Sequence, residues 1–277
     1  MTKLVAAIRL LRPLNCFIGS LSVFVSAAIT RSMDRQSALV IAMLVVFFYN
    51  GGANAINDYF DYEIDKINRP DRPLSSGLLS RSTAVWISFL TFGCGTLLVI
   101  QLNQIAALIA VCIAMPILLG YTRYLKTKPL IGNFAVAFIL GLVFVFGGAV
   151  FGAIDQMLVP AILAFLLTFP RELIKDVEDI DGDKKLGLKT YPITAGISST
   201  KMVVKTWSII TGIAMLIPSL LGYYNNWYFW FVLIGIEIPL VYILTTFSGN
   251  IDRAGRFSKL LKMSTIAGVC AVYFGTI

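Results

Sequence analysis

Histidine is absent from this 277-residue sequence, and charged residues are scarce. Without histidine the chain has no imidazole that could serve as a general base or a metal ligand. Charged residues make up 14% of the chain, whereas a typical soluble domain has about 25%, and apolar residues make up 57%. The mean hydropathy is +0.81. This balance excludes an ordinary soluble protein and indicates an integral membrane protein.

Cysteine is also sparse, and the cysteines form no recognisable motif. The four cysteines are scattered through apolar segments, with no C-x-x-C pair: Cys16, Cys94, Cys112 and Cys270. This spacing excludes a disulfide framework and a cysteine-ligated metal site. The cysteines are expected to be small core residues.

Apolar runs near the roughly 20 residues that a helix needs to cross a bilayer recur along the whole chain. We predict an all-α fold, a polytopic membrane bundle of nine transmembrane helices. Their approximate bounds are 4–29, 37–58, 82–102, 104–122, 132–153, 157–174, 200–221, 227–247 and 259–277.

The first run lacks a small-residue cleavage site, so it is expected to be a retained helix. No room remains for a soluble domain, and residues 1–277 are expected to form a single domain. Kinks are expected at Pro116, Pro218 and Pro239.

The basic residues support this topology. If the N-terminus is cytoplasmic, nine spans place all of the 23 Lys and Arg residues except Arg31 and Arg35 on the cytoplasmic side, as membrane proteins prefer. Of the 15 carboxylates, 11 fall in two connections on that same side. Membrane orientation therefore explains the net charge of +8 without a nucleic acid partner. The sequence predicts a multi-pass protein of the cell membrane, with its N-terminus and its polar site in the cytoplasm.

Two acidic stretches dominate the polar part of the sequence: NDYFDYEIDKINRPDR at 57–72 and KDVEDIDGD at 175–183. They share the spacing D-x-x-D-x-x-x-D, with corresponding residues 118 positions apart. The matching residues are Asp58, Asp61 and Asp65 in the first stretch, and Asp176, Asp179 and Asp183 in the second.

On a helix, this spacing places the acidic side chains on one face. Carboxylates so close together repel one another unless cations lie between them. Oxygen ligands without histidine or thiolate suit Mg²⁺, which also takes phosphate oxygens. Basic residues that suit a diphosphate follow or separate the stretches: Arg69, Arg72, Lys126, Lys128, Lys184, Lys185 and Lys189. The plainer alternative, solvated helix ends, does not account for the repeated spacing.

The sequence resembles the UbiA superfamily of intramembrane prenyltransferases. The resemblance is carried by N-D-x-x-D-x-x-x-D at 57–65 with N-R-P-x-R-P-L-x-S-G at 68–77, and by D-x-x-x-D at 179–183 with K-x-G-x-K-T at 185–190. It extends over essentially the whole chain. It implies an active-site cavity on the cytoplasmic side and an apolar tunnel, open to the bilayer, for an isoprenoid chain.

The two motifs are most similar to those of the family members that make archaeal ether lipids. This similarity implies Mg²⁺-dependent transfer of a geranylgeranyl group from geranylgeranyl diphosphate to the hydroxyl of geranylgeranylglyceryl phosphate. Besides this donor, this acceptor and the lipid bilayer, no obligatory protein partner is indicated. An aromatic acceptor, as in quinone synthesis, is the alternative within the family.

The resemblance also implies roles for individual residues. Two Mg²⁺ ions that bridge the donor diphosphate would be held by Asn57, Asp61, Asp65, Asp179 and Asp183, and these four aspartates would be catalytic. Substrate would be bound by Asn57, Arg72, Lys126 and Lys185, while Asp58 and Asp176 would support the metal ligands. The proton would be taken by a carboxylate such as Asp65 or by the departing diphosphate.

The acceptor phosphate would need cations of its own. Arg9, Arg12, Lys66 and Arg69 are candidates by location, although each could instead only anchor the protein at the membrane surface.

Two further classes of protein are alternatives to the enzyme. A transporter would place functional ionisable groups at membrane depth, where Glu237, close to Pro239, is the strongest candidate. A structural subunit would not need paired acidic motifs.

Overall fold

The computed structural model describes residues 2–277, and all regular structure in that range is helical. The helices, in chain order, are α1 (Lys3–Leu11), α2 (Pro13–Ile29), α3 (Gln36–Phe60), α4 (Tyr62–Asn68), α5 (Arg81–Val99), α6 (Gln104–Leu125), α7 (Ile131–Phe151), α8 (Leu158–Glu178), α9 (Ile180–Lys185), α10 (Tyr191–Thr194), α11 (Gly196–Leu220), α12 (Asn226–Thr246) and α13 (Ile251–Thr276). A short 3₁₀ turn, Asp155–Met157, precedes α8.

Within residues 2–277, eight helices are long and apolar enough to cross a membrane, and α1 with α2 makes a ninth span if the bent pair is counted as one. The prediction of nine spans is consistent with this count. The continuous first helix predicted over 4–29 is wrong, because the chain bends by 40° between α1 and α2. Arg12 adopts a left-handed conformation there, with φ 53°. Pro13 explains the break, since proline disfavours a helical residue before it.

The last span also differs from the prediction. Helix α13 begins at Ile251, not at 259, because Asn250 caps it by accepting a hydrogen bond from the Arg253 backbone N–H. The charged first turns of this helix look like a loop in the sequence. They extend the helix beyond its apolar part.

Two of the prolines expected to cause kinks follow π-helical turns. The turn Ile109–Ala114 in α6 precedes Pro116, and the turn Leu233–Glu237 in α12 precedes Pro239. Proline cannot donate the α-helical hydrogen bond, and local π adjustments of the hydrogen-bond pattern accommodate proline in membrane helices. Pro218 lies inside α11, close to its end.

Most of the long helices pack into two large apolar clusters. In one, α3 packs against α2 and α5, and α7 joins them; Val23, Tyr49 and Phe146 are among its buried residues. In the other, α8 packs against α11 and α13, and Leu173 and Leu261 are completely buried. Helices α7 and α8 pack against each other and join the two clusters. This arrangement leaves a cavity between the helices.

Candidate functional site

The first acidic stretch lies where α3 meets α4. Asp61 is the junction residue between the two helices. The helical hydrogen-bond pattern continues through it, since Asp61 N–H donates to the Asn57 carbonyl at 2.8 Å and Asp65 N–H donates to the Asp61 carbonyl at 2.7 Å. Asp58 and Asp65 therefore share a face, and Arg72 Nη1 donates to Asp58 Oδ1 at 3.1 Å and to Asp65 Oδ2 at 2.5 Å.

The end of α6 completes the surroundings of this stretch. Lys126 Nζ lies 2.8 Å from both carboxylate oxygens of Asp61. Thr122 Oγ1 donates a hydrogen bond to Asn57 Oδ1. Asn57 and Asp61 are thus held by a hydroxyl group and an ammonium group from the end of α6.

The second stretch repeats the same construction. Asp179 is the junction residue between α8 and α9, and its N–H donates to the Lys175 carbonyl at 3.0 Å. Asp183 N–H donates to the Asp179 carbonyl at 3.1 Å. Asp176 accepts a hydrogen bond of 2.8 Å from Asn133 Nδ2 on α7.

The two stretches are in direct contact. Arg69 Nη2 donates to both carboxylate oxygens of Asp179, at 2.8 and 3.0 Å. Asn68 Nδ2 donates to the Asp179 carbonyl at 3.3 Å and packs against Gly182, where a Cβ atom would overlap its side chain. Both acidic stretches therefore lie at one end of the bundle, as the sequence predicts. We call this the charged end.

Burial alters the acidity of two of these carboxyls. Burial raises the pKa of Asp183 to about 6; the charge of Lys126 opposes this rise, and the charges of Asp179 and Asp61 add to it. The side chain of Asp183 is only 1% exposed, and its Oδ1 has no hydrogen-bond partner. Burial also raises the pKa of Asp65, against the attraction of Arg72. The charged end thus contains carboxylates whose negative charge is not fully balanced by nearby cations and hydrogen bonds.

A cavity of about 290 Å³ begins at the charged end and continues between the helices. Asn57 and Arg12 are among its polar lining residues, whereas Phe144, Met215 and Tyr228 line it in its apolar part. Met215 lies near the end of α11 and Tyr228 near the start of α12, the ends of these helices that face away from the charged end. The cavity therefore joins a polar mouth to an apolar interior.

The structure brings most of the predicted site residues together, but not all of them. Asp61, Asp65, Asp179 and Asp183 lie at the charged end with Asn57, Arg72 and Lys126. Among these predicted residues, Asn57 alone in the described range lines the cavity itself. Lys185 is exposed at the end of α9, and its contact with substrate stays a prediction.

The four candidates for the acceptor phosphate also have different surroundings. Arg12 lines the cavity, where it donates hydrogen bonds to Asp58 and Asn54. Arg69 is bound to Asp179, and Lys66 is bound to Glu63 at the surface. Arg9 lies on the exposed side of α1.

Sequence reasoning missed several polar residues that line the cavity: Asn15, Asn50, Asn54, Tyr121, Arg171, Glu172, Lys175 and Lys262. For the basic residues among them, the sequence predicts only a position on the cytoplasmic side. One signal could have identified them, because Arg171 lies well inside α8 and Lys262 lies three turns into α13. Ionisable residues within membrane helices usually face the interior of the bundle.

The transporter reading has little support in this geometry. Glu237 is half-buried beside Gly212 of α11, and its Oε1 has no hydrogen-bond partner. It is not one of the residues that line the cavity. The intramembrane carboxyl is therefore separate from the polar mouth.

The donors at the charged end have the chemistry that Mg²⁺ prefers, namely carboxylate and amide oxygens. In the range 2–277, however, no three Asp, Glu, His or Cys side chains are already arranged around a metal position. Most of the carboxylates instead face Lys126, Arg69 or Arg72. The buried, unpartnered Oδ1 of Asp183 fits a bound cation. The residues present fit the ion, provided that the basic side chains move to other anionic oxygens.

Fold and site together define an intramembrane helical protein whose apolar cavity opens onto two paired acidic motifs. Residues 19–266 match the model of the UbiA prenyltransferase family. The chain belongs to this family, which confirms the resemblance carried by the two motifs.

Similar proteins cover nearly all of the chain. The digeranylgeranylglyceryl phosphate synthase of Methanothermobacter thermautotrophicus is 35% identical over 258 residues, which are 92% of this chain and 90% of that protein. The synthase of Thermococcus kodakarensis is 36% identical over 269 residues, 96% of each chain. A solved structure described as digeranylgeranylglyceryl phosphate synthase superposes with a TM-score of 0.76 at 30% identity, over 100% of this chain and 99% of that one. A UbiA homolog from Archaeoglobus fulgidus bound to DMAPP and Mg²⁺ shares the fold, with a TM-score of 0.65 at 22% identity, over 96% of this chain and 98% of that one.

Proposed function

We propose that this protein transfers the geranylgeranyl group of geranylgeranyl diphosphate to the hydroxyl of geranylgeranylglyceryl phosphate, with Mg²⁺ as cofactor. The observation that carries the proposal is the contact between the two acidic motifs at the mouth of an apolar cavity. A donor with a diphosphate head and a long apolar chain matches the charged mouth and the apolar interior of this cavity. Similarity to digeranylgeranylglyceryl phosphate synthases over nearly the whole chain supports the choice of acceptor.

The diphosphate would lie at the charged end, and the prenyl chain would extend into the cavity. Asn57, Asp61, Asp65, Asp179 and Asp183 would hold the metal, and bound Mg²⁺ would neutralise the charge of the leaving diphosphate. Lys126 and Arg72 now bind carboxylates. We expect both to turn toward the diphosphate oxygens once the metal takes over these carboxylates, and we expect Lys185 to join them.

In the reaction, the bond between donor C1 and the diphosphate oxygen breaks, and its electron pair leaves with the diphosphate. The acceptor hydroxyl oxygen forms a new bond to C1 and gives up its proton. Either the released diphosphate or a carboxylate such as Asp65 takes that proton. Apolar walls that include Phe144 and Leu163 would keep water away from the carbocation-like C1, and the cationic side chains would stabilise the leaving group.

The experiment that tests this function offers two acceptors side by side. Purified protein in lipid vesicles receives labelled geranylgeranyl diphosphate, Mg²⁺ and either geranylgeranylglyceryl phosphate or 4-hydroxybenzoate. We expect labelled product only from the glycerol phosphate acceptor, and no product after EDTA. Product from the aromatic acceptor alone would overturn the choice of acceptor. If the Asp61→Ala and Asp179→Ala variants keep the full activity of the wild-type protein, the enzymatic proposal is overturned.

We also infer that the charged end faces the cytoplasm, because lysine and arginine accumulate on that side of membrane proteins. The test starts from a variant in which the four native cysteines are replaced by serine. Single cysteines are then placed at Lys184 and at Tyr223, both of which are exposed. In right-side-out vesicles, an impermeant maleimide should label the cysteine at position 223 and not the one at 184. The opposite pattern would reverse the orientation.

A further inference from the structure

The cavity wall contains four cationic side chains from the range 2–277. Arg12, Arg171, Lys175 and Lys262 line the cavity, and Glu172 is the one carboxylate that the described residues add to this lining. Excess positive charge at membrane depth is costly unless an anion compensates it. The existing contacts of each cation decide which of them can bind an additional anion.

Two of the four cations are largely satisfied by protein groups. Arg12 donates to Asp58 and Asn54. Lys175 Nζ lies 3.6 Å from Glu172 Oε2. Neither residue has a buried donor that lacks a hydrogen-bond partner among the described residues.

Arg171 and Lys262 are different. Arg171 Nη1 donates to Glu172 Oε1 at 2.9 Å, but its Nε is fully buried and has no hydrogen-bond partner. Lys262 Nζ donates to the neutral Asn15 Oδ1 at 2.7 Å and is in no ion pair in the described range. The charges of Arg171 and Arg12 are both close enough to Lys262 to repel it. Helices α8 and α13, which carry Arg171 and Lys262, pack against each other.

We propose that Arg171, Lys262 and Asn15 form a pocket for the phosphate monoester of the acceptor. This proposal rests on the proposed function and assigns the acceptor's headgroup to a part of the site that is separate from the metal motifs. A phosphate monoester carries about two negative charges at neutral pH and offers three acceptor oxygens. It would satisfy the free Arg171 Nε and the Lys262 ammonium together, without a metal ion.

The separation has a consequence for specificity. The four aspartates predicted to bind metal lie at the mouth and do not line the cavity, so Asn57 is the one predicted metal ligand in the described range that does. Arg171, Lys262 and Asn15 all line the cavity. The donor diphosphate and the acceptor phosphate would then occupy two differently built anion sites. Selection of a phosphorylated acceptor would depend on Lys262, and donor binding would not.

The experiment measures binding and turnover separately. Labelled geranylgeranylglyceryl phosphate, and the same lipid without its phosphate, are titrated onto protein in nanodiscs in the absence of donor. Wild-type protein and the variants Lys262→Met, Lys262→Arg and Lys259→Met are compared. Lys259 is an exposed residue of the same helix and serves as the matched control. Steady-state kinetics with both lipids and varied donor follow.

We expect Lys262→Met to weaken binding of the phosphorylated lipid about 10- to 100-fold, the usual effect of losing a charge-assisted hydrogen bond. Its affinity for the neutral lipid, the KM for the donor and the thermal midpoint should stay at the wild-type values. Lys262→Arg should restore most of the affinity, and Lys259→Met should change nothing. If Lys262→Met leaves the phosphorylated lipid bound as in wild type, or weakens the donor and both lipids equally, the pocket is wrongly assigned. If no transfer to this lipid is observed, the proposed function is overturned. The binding measurement still tests the phosphate pocket in that case.

Discussion

Asp61 and Asp179 occupy equivalent positions in the structure, each at the junction between a long membrane helix and a short helix that follows it. Each also binds a cation from another part of the chain, Lys126 for Asp61 and Arg69 for Asp179. Arg69 belongs to the first acidic stretch, 57–72, so this stretch directly contacts the second. The repeated sequence spacing thus corresponds to a repeated local structure whose two copies are in contact.

Removing either junction carboxylate should abolish most of the activity. We expect Asp61→Ala and Asp179→Ala each to lower kcat/KM at least about 100-fold, because metal-assisted charge neutralisation contributes several kcal/mol to such reactions. The measurement is transfer of label from geranylgeranyl diphosphate. Asp71→Ala and Asp181→Ala are matched controls, because both residues are exposed and belong to the same two segments; a similar loss in the controls would contradict the assignment.

The contact between the two motifs can be tested at Gly182. An alanine there would overlap the Asn68 side chain, and overpacking of this kind typically costs about 1–3 kcal/mol. Gly182→Ala should therefore lower both the thermal midpoint and the activity. Adding Asn68→Ala should restore part of the stability, since it removes the obstructing side chain.

Gly93→Ala is the control for that experiment, since a Cβ at Gly93 meets no atom within 4 Å. If Gly182→Ala behaves like Gly93→Ala, the close approach of the two motifs is not what holds the charged end together.

Much of this arrangement could be predicted from the sequence. The acidic spacing and the distribution of Lys and Arg identified both motifs and the end at which they meet. The pairing of Asp61 with Lys126 could not be predicted, because it depends on how α6 packs against α3. Nor could Lys262, since its position in the cavity follows from the packing of α13 against α8. The break at Arg12 was missed because hydropathy does not report backbone conformation. The single domain over 1–277 and the role of Lys185 stay predictions.

Asp183 should make the stability of the metal-free protein depend on pH. Its pKa is raised by burial to about 6, whereas an unfolded aspartate has a pKa of about 3.9. Between these values the unfolded state binds fewer protons than the folded state at this residue, so its contribution to stability falls as pH rises from about 4 to about 6. Thermal unfolding in EDTA should show a component of this sign that Asp183→Asn removes. An unchanged pH profile in the variant would contradict the raised pKa.

The far end of the cavity should limit the length of the prenyl chain. Met215 is buried there, and its carbonyl accepts a hydrogen bond of 2.8 Å from Tyr228 Oη. Met215→Ala should lengthen the cavity, because the side chain is removed while the backbone hydrogen bond remains. The ratio of kcat/KM for farnesylgeranyl diphosphate over geranylgeranyl diphosphate should rise. Ile213→Ala is the control, since Ile213 is 61% exposed on the same helix; an equal rise there would argue against a cavity effect.

The central claim is that one metal–diphosphate site is shared by both acidic motifs. The most direct test is a crystal structure with Mn²⁺ and an unreactive thiolo analogue of geranylgeranyl diphosphate, in which the metal is located by anomalous scattering. The account predicts metal bound by carboxylates of both stretches, with Asp61 or Asp65 and Asp179 or Asp183 around one diphosphate. Metal bound by one stretch only, with Arg69 still on Asp179, would contradict it.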